Sequence, residues 1–195
     1  MKQLTLFVLF SIFMLNACNN PDDKQVNTAK TTEVAASAES KNKSKPMMKV
    51  PEVMDFAEFQ KRIQKDDDTL YIYNFFFFFF MPCVKEMLYF EQVDDEYANQ
   101  KVKLIFVSLD FIDLLSKKLV PFINGRSISE DVWLLNERNP NSWIDKVSEK
   151  WTGSIPATLF MHAPSDYEAF YERSFEYETL KEVVEEALKE AKPQV

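Results

Sequence analysis

Leu70-Tyr71-Ile72-Tyr73-Asn74-Phe75-Phe76-Phe77-Phe78-Phe79-Phe80-Met81-Pro82-Cys83 decides how this chain is read. Thr69 to Phe76, rich in aromatic and β-branched residues, reads as a strand. After them, Val84-Lys85-Glu86-Met87-Leu88-Tyr89-Phe90-Glu91 reads as a helix. Pro82 falls in its first turn, where a missing N–H costs nothing. The order is therefore strand, short turn, and a helix opening on Pro-Cys. A central strand buried on both faces accounts for Phe75 and Phe76. Phe78, Phe79 and Phe80 fall instead in the turn expected to be exposed. Phe cannot cap a helix there as Ser or Asp does. The uncharged run also has high β-propensity and is an aggregation hazard.

Working outward, the pattern alternates between helix and strand. Asp55 and Glu58 form a possible capping box for a helix over residues 55–64. Lys101-Val102-Lys103-Leu104-Ile105-Phe106-Val107-Ser108-Leu109 is the clearest strand. Residues 113–123 are expected to be helical, with Pro121 kinking or ending the helix. A short strand is expected at 131–135, a helix at 142–151, and strands at 157–161 and 169–175. Leu180, Val183, Val184, Ala187 and Leu188 form one apolar stripe, which predicts a helix over 178–191. Such alternation predicts an α/β sandwich with a partly parallel sheet.

The N-terminus reads as an address. Lys2 precedes a mostly apolar stretch, which ends at Asn16-Ala17-Cys18. A charged start, an apolar segment of about 12 residues and a small residue describe a secretory signal, too short to span a bilayer comfortably. Cys18 directly after Ala17 resembles a bacterial lipoprotein box. That resemblance implies cleavage before Cys18 and lipidation of its thiol and amine. Acyl chains hold a protein on a bilayer at about 0.8 kcal/mol per buried CH₂. Residues 19–50 are polar and lack aromatic residues, and read as a flexible tether of about 30 Å root-mean-square reach. Residues 51–195 are expected to form one domain.

Composition narrows the function classes. The 195 residues carry a net charge of −8, which argues against nucleic acid as a partner. One His cannot build a metal site, and no zinc spacing, Gly-rich phosphate loop or Ser-His-Asp pattern is present. No cofactor is expected. The three tryptophans, Trp133, Trp143 and Trp151, read as core or rim aromatics.

Tyr71-Ile72-Tyr73-Asn74-Phe75, Pro82-Cys83-Val84-Lys85-Glu86, and Gly153-Ser154-Ile155-Pro156-Ala157-Thr158-Leu159-Phe160 together resemble a thioredoxin-fold protein. The subgroup they most resemble is the membrane-anchored, extracytoplasmic thiol–disulfide oxidoreductases of the TlpA/ResA type. The resemblance covers about residues 50–192. It implies a three-layer sandwich, with a mixed central sheet flanked by helices. It also implies a bacterial cell-envelope location, periplasmic or surface-facing, on a lipid-anchored membrane protein. Partners would be protein thiols or extended peptides.

In that family the strand leads through two tryptophans to Cys-X-X-Cys. Phe76 and Phe79 stand at the tryptophans, Phe80 at the nucleophilic cysteine, and Cys83 at the resolving cysteine. Glu86 matches a carboxylate that the family often places past the motif. Pro156 matches its cis-proline, which faces the active site and helps bind an extended substrate strand beside Ile155. Leu88 stands where a helix-kinking proline is usual. Disulfide exchange begins with thiolate attack, for which Phe80 has no atom. Dithiol exchange is therefore expected to be lost or impaired.

Cys83 itself has two readings, a small buried hydrophobe or a reactive single thiol. Glu86 reads as a proton carrier for that thiol or as a solvated helix carboxylate. Pro156, Ile155, Phe79 and Phe80 are the candidate substrate-binding residues. The functional alternative is a non-redox module that holds extended or unfolded peptides against the phenylalanine patch.

Overall fold

Seven consecutive buried residues form the central strand β2, Leu70–Phe76. Its side chains alternate between two apolar layers, as the period of a strand requires. Leu70, Ile72 and Phe76 enter one core cluster, whereas Tyr71, Tyr73 and Phe75 enter the other. The computed structural model describes residues 48–191. The signal segment, the Cys18 lipobox and residues 19–47 of the expected tether lie outside the described residues.

Strand β2 pairs in parallel with β3, Val102–Ser108, and antiparallel with β5, Ala157–His162. Beyond β3 lie β4, Asp131–Leu135, and the edge strand β1, Glu52–Met54, both in parallel. Strand β6, Tyr167–Tyr171, closes the other edge antiparallel to β5. The sheet order is β1-β4-β3-β2-β5-β6.

Helices cover both faces. Phe56 and Phe59 of α1, Phe56–Ile63, and Val147 of α4, Ile144–Val147, pack with Trp133, Trp143 and Trp151 on one face. Helices α2, Met81–Tyr97, α3, Val120–Arg126, and α5, Tyr177–Glu190, supply the other layer. The expected α/β sandwich with a mixed sheet is what the chain forms.

Several local expectations shift. Asp55 caps α1 by accepting from Glu58 N at 2.9 Å, but the Glu58 carboxylate turns to Arg62 Nε at 2.9 Å. Only half of the capping box forms, because an i,i+4 cation competes for the acid. The helix expected over 113–123 is instead a 3-10 turn at Ile112–Leu114, a π-turn at Leu115–Leu119, and then α3. Pro121 sits at the start of α3, where the π-turn gives way to α-helix, and not at its end. The helix expected over 142–151 shrinks to one turn, α4, because Ser148 is already extended. Trp151 is then free to bury its ring and donate from Nε1 to Ser154 O at 2.8 Å.

The strand expected at 169–175 lies earlier, at Tyr167–Tyr171. Lys49, inside the expected tether, is already held by the domain. Its N donates to Asn124 Oδ1 at 2.9 Å, and its Nζ donates to the carbonyls of Ser129 (2.7 Å) and Glu130.

Candidate functional site at the β2–α2 turn

The turn between β2 and α2 is built from Phe77, Phe78, Phe79 and Phe80. Phe80 N donates to Phe77 O at 3.2 Å, which closes the turn. Phe80 is the N-cap of α2, in extended conformation, and its side chain makes no cap hydrogen bond. Phe77 stacks on Phe79 with centroids 5.2 Å apart, while Phe78 leans on Phe122 of α3. Phe79, Phe80 and Met81 remain exposed.

Cys83 lies one turn deeper and is fully buried. Burial pushes its thiol up to about 12, and the nearby carboxylates Glu86 and Asp110 push the same way. A hydrogen bond from the Phe77 backbone opposes this only in part. A helix N-terminus ordinarily lowers a thiol pKa, but here desolvation wins.

Glu86 is not a solvated helix carboxylate, for it is buried beneath the turn. Asn74 Nδ2 of β2 donates to its Oε1 at 2.8 Å, and Phe175 N donates to its Oε2 at 2.9 Å. Desolvation raises Glu86 to about 7, with the two hydrogen bonds restraining the shift. Asn74 also donates to Thr158 Oγ1 of β5 at 3.1 Å, which ties strand, helix and neighbouring strand together.

A second buried acid, Asp110, is part of the same site and was missed by sequence reasoning. Its Oδ2 accepts from Ser108 Oγ at 2.8 Å and from Phe78 N at 3.2 Å. Burial raises it to about 6. Its signal in the sequence is an acid just beyond the apolar strand β3, at the end of the sheet that carries the turn.

The Ile155–Pro156 peptide bond is cis. Phe75 pairs with Ala157, so Pro156 and Ile155 precede β5 at the same sheet end at which β2 runs into the turn. Gly153, at φ 98, turns the chain into this segment, a backbone conformation suited to glycine. Ile155 packs against both core clusters.

The other singled-out residues play structural parts. Trp133, Trp143 and Trp151 are core residues. His162 is buried, with Nδ1 on Ser165 Oγ at 2.8 Å and Nε2 on Asp68 Oδ1 at 3.3 Å. Among the described residues no His, Cys, Asp and Glu cluster is suited to a metal ion. Nor is any described helix long and apolar enough to cross a membrane.

No protein-family model matches the chain, and no curated protein matches it. Solved structures do. A thioredoxin-related protein from Neisseria meningitidis serogroup B superposes with a TM-score of 0.56 at 18% identity, covering 65% of this chain and 90% of that one. The fold is thioredoxin-like. A thioredoxin-family thiol:disulfide interchange protein from Chlorobium tepidum gives a TM-score of 0.50 at 18% identity, covering 62% and 81%. At such identity the likeness carries the thioredoxin-like fold and leaves activity to the residues of the site. Those residues are one buried thiol, two buried carboxyls and an exposed aromatic turn. The arrangement holds protons and apolar surface but presents no attacking sulfur.

Proposed function

We propose that this chain is a lipid-anchored, extracytoplasmic protein of the thiol–disulfide oxidoreductase type whose dithiol exchange is lost or impaired. The observation that carries the reading is Phe80 at the N-cap of α2, where exchange needs a thiolate, with Cys83 closed off below it. Exchange requires attack on a disulfide sulfur, then release of the mixed disulfide by a second thiol. Phe80 supplies no sulfur for the first step.

Insulin reduction driven by dithiothreitol tests this. The chain is expected to leave the uncatalysed rate unchanged, whereas Phe80→Cys restores Cys-Met-Pro-Cys and accelerates it. Catalysis by the unaltered chain would contradict the reading. Anchoring rests on Leu15-Asn16-Ala17-Cys18 and is tested by incorporation of labelled palmitate, expected to disappear with Cys18→Ala.

A second reading has its own support in the exposed rings of Phe79 and Phe80 beside Met81. Here the domain is a non-redox module that holds extended, apolar peptide segments near Ile155 and Pro156. Peptide retention that survives Cys83→Ser and falls with Phe79→Ser favours it. Absence of any retained peptide counts against it.

A further inference from the structure

Phe79, Phe80 and Met81 do not end the exposed apolar surface. Leu88 is exposed as well, and Val84 is half-buried. Met81, Val84 and Leu88 share one face of α2, by helical spacing. The aromatic turn therefore runs on into an apolar helix face, with exposed Lys85 beside it. Apolar surface of this kind marks contact with a protein or a membrane.

Three observations favour a membrane. These residues occupy a turn and a helix face, not a groove: the cavities of about 760 and 540 Å³ are lined by none of them. Charge is also segregated. The chain carries −8, yet between residues 69 and 90 the only charged residues are Lys85 and the buried Glu86. The other acids of α2, Glu91, Asp94, Asp95 and Glu96, lie toward its far end. From neighbouring elements, Asp113, Glu137 and Arg138 share a cavity with Phe77 but with none of the rings beyond it. An apolar surface edged by a lysine matches a lipid interface, where the ammonium meets phosphate.

The third observation is reach. Strand β1 runs parallel to β2 by way of β4 and β3, so the chain enters from the end of the sheet away from the turn. From Cys18 to Met48 it spans up to about 100 Å. The seven residues of β2 span only about 23 Å. An N-terminal segment held in a bilayer thus leaves enough chain for the turn to meet that same bilayer.

We propose that the Phe79–Met81 turn, with Val84 and Leu88, docks on a lipid bilayer surface, its rings below the headgroups and Lys85 toward lipid phosphate. This surface goes beyond the thiol reading above. It rests on the N-terminal segment for delivery to the bilayer, and palmitate labelling tests that part separately.

The test seats the full chain on phosphatidylcholine nanodiscs containing a lipid with a nitroxide near its glycerol. Fluorinated phenylalanine is placed at one site at a time: Phe79, Phe80, or Tyr167, which opens β6 at the opposite end of the sheet. The fluorine signals at Phe79 and Phe80 are expected to broaden with the nitroxide lipid, and the signal at Tyr167 to stay sharp. Met81→Ser and Leu88→Ser, both at exposed sites, are each expected to lower the ratio of docked to free turn about tenfold. That loss is read as sharpening at Phe80, with circular dichroism confirming the parent fold. Several results would overturn the proposal: a chain that stays off the nanodiscs, sharp signals at Phe79 and Phe80, equal broadening at all three sites, or undiminished broadening in both folded variants. Broadening that vanishes at one chain per nanodisc would assign the surface to a second copy and overturn it. A shift of both signals by an apolar pentapeptide, without nitroxide broadening, would assign it to peptides and likewise overturn it.

Discussion

Phe75 and Phe76 are fully buried, one on each face of the sheet, whereas Phe79 and Phe80, a few residues on, are 56% and 38% exposed. The same side chain therefore does opposite work within one run. In β2 it joins both cores: Phe75 meets Trp151 at 4.7 Å between centroids, and Phe76 meets Phe106 at 6.0 Å. In the turn it leaves a helix end uncapped and a hydrophobic surface in water. The first half of the run is packed into the sheet, and the second half forms the exposed turn before α2.

Mutation separates the halves most sharply at Phe75. Phe75→Ala leaves a cavity between α1, β2 and Trp151, and is expected to cost about 3–5 kcal/mol in urea unfolding. Phe79→Ala should change stability by no more than about 0.5 kcal/mol. Equal losses at the two positions would break the comparison.

The next effect lies beneath the turn and depends on pH. Unfolded, the Glu86 carboxyl titrates near about 4.3; folded, burial holds it at about 7. Between those values the folded state binds more protons, so Glu86 makes stability fall as pH rises. Asp110, raised to about 6, acts in the same direction. Between pH 5 and pH 8 the Glu86 share of the stability loss is expected to be on the order of 2–3 kcal/mol, and Glu86→Gln removes that share while the smaller one from Asp110 remains. An unchanged slope in that variant would mean that Glu86 is solvated.

A smaller effect has the opposite sign. Phe80→Ser supplies an N-cap oxygen that Phe lacks, and is expected to stabilise the protein by about 0.5–1 kcal/mol, read as a higher urea midpoint. A loss would show that the exposed ring contributes packing that outweighs the missing cap.

Much of the architecture was legible because its signals are local. Strands β2 and β3 are long apolar runs, and the α5 stripe has helical period, so both survive in the structure almost residue for residue. Edge strand β1 is only three residues long and carries no such pattern. The 112–126 segment changes helix type twice, which periodicity alone does not encode. At the site, the positions of Cys83 and Glu86 in the first turns of α2 followed from spacing. Burial of Cys83 was one of its two sequence readings, whereas burial of Glu86 was not legible, because it depends on Asn74 and Phe175, brought there from other elements. A carboxylate on a helix reads as solvated until a distant backbone N–H is found bonded to it.

The account turns on Cys83 being a closed-off sulfur beneath an aromatic cap, and thiol alkylation measures that directly. With Cys18→Ser, so that Cys83 is the sole thiol, maleimide labelling at pH 8 is compared between the folded protein and the protein in urea. A thiol raised to about 12 is ionised at pH 8 roughly 10³-fold less than an ordinary cysteine. Labelling of the folded protein is therefore expected to be slower by about that factor. Labelling at the unfolded rate would contradict the account and place a reactive thiol at the helix N-terminus after all.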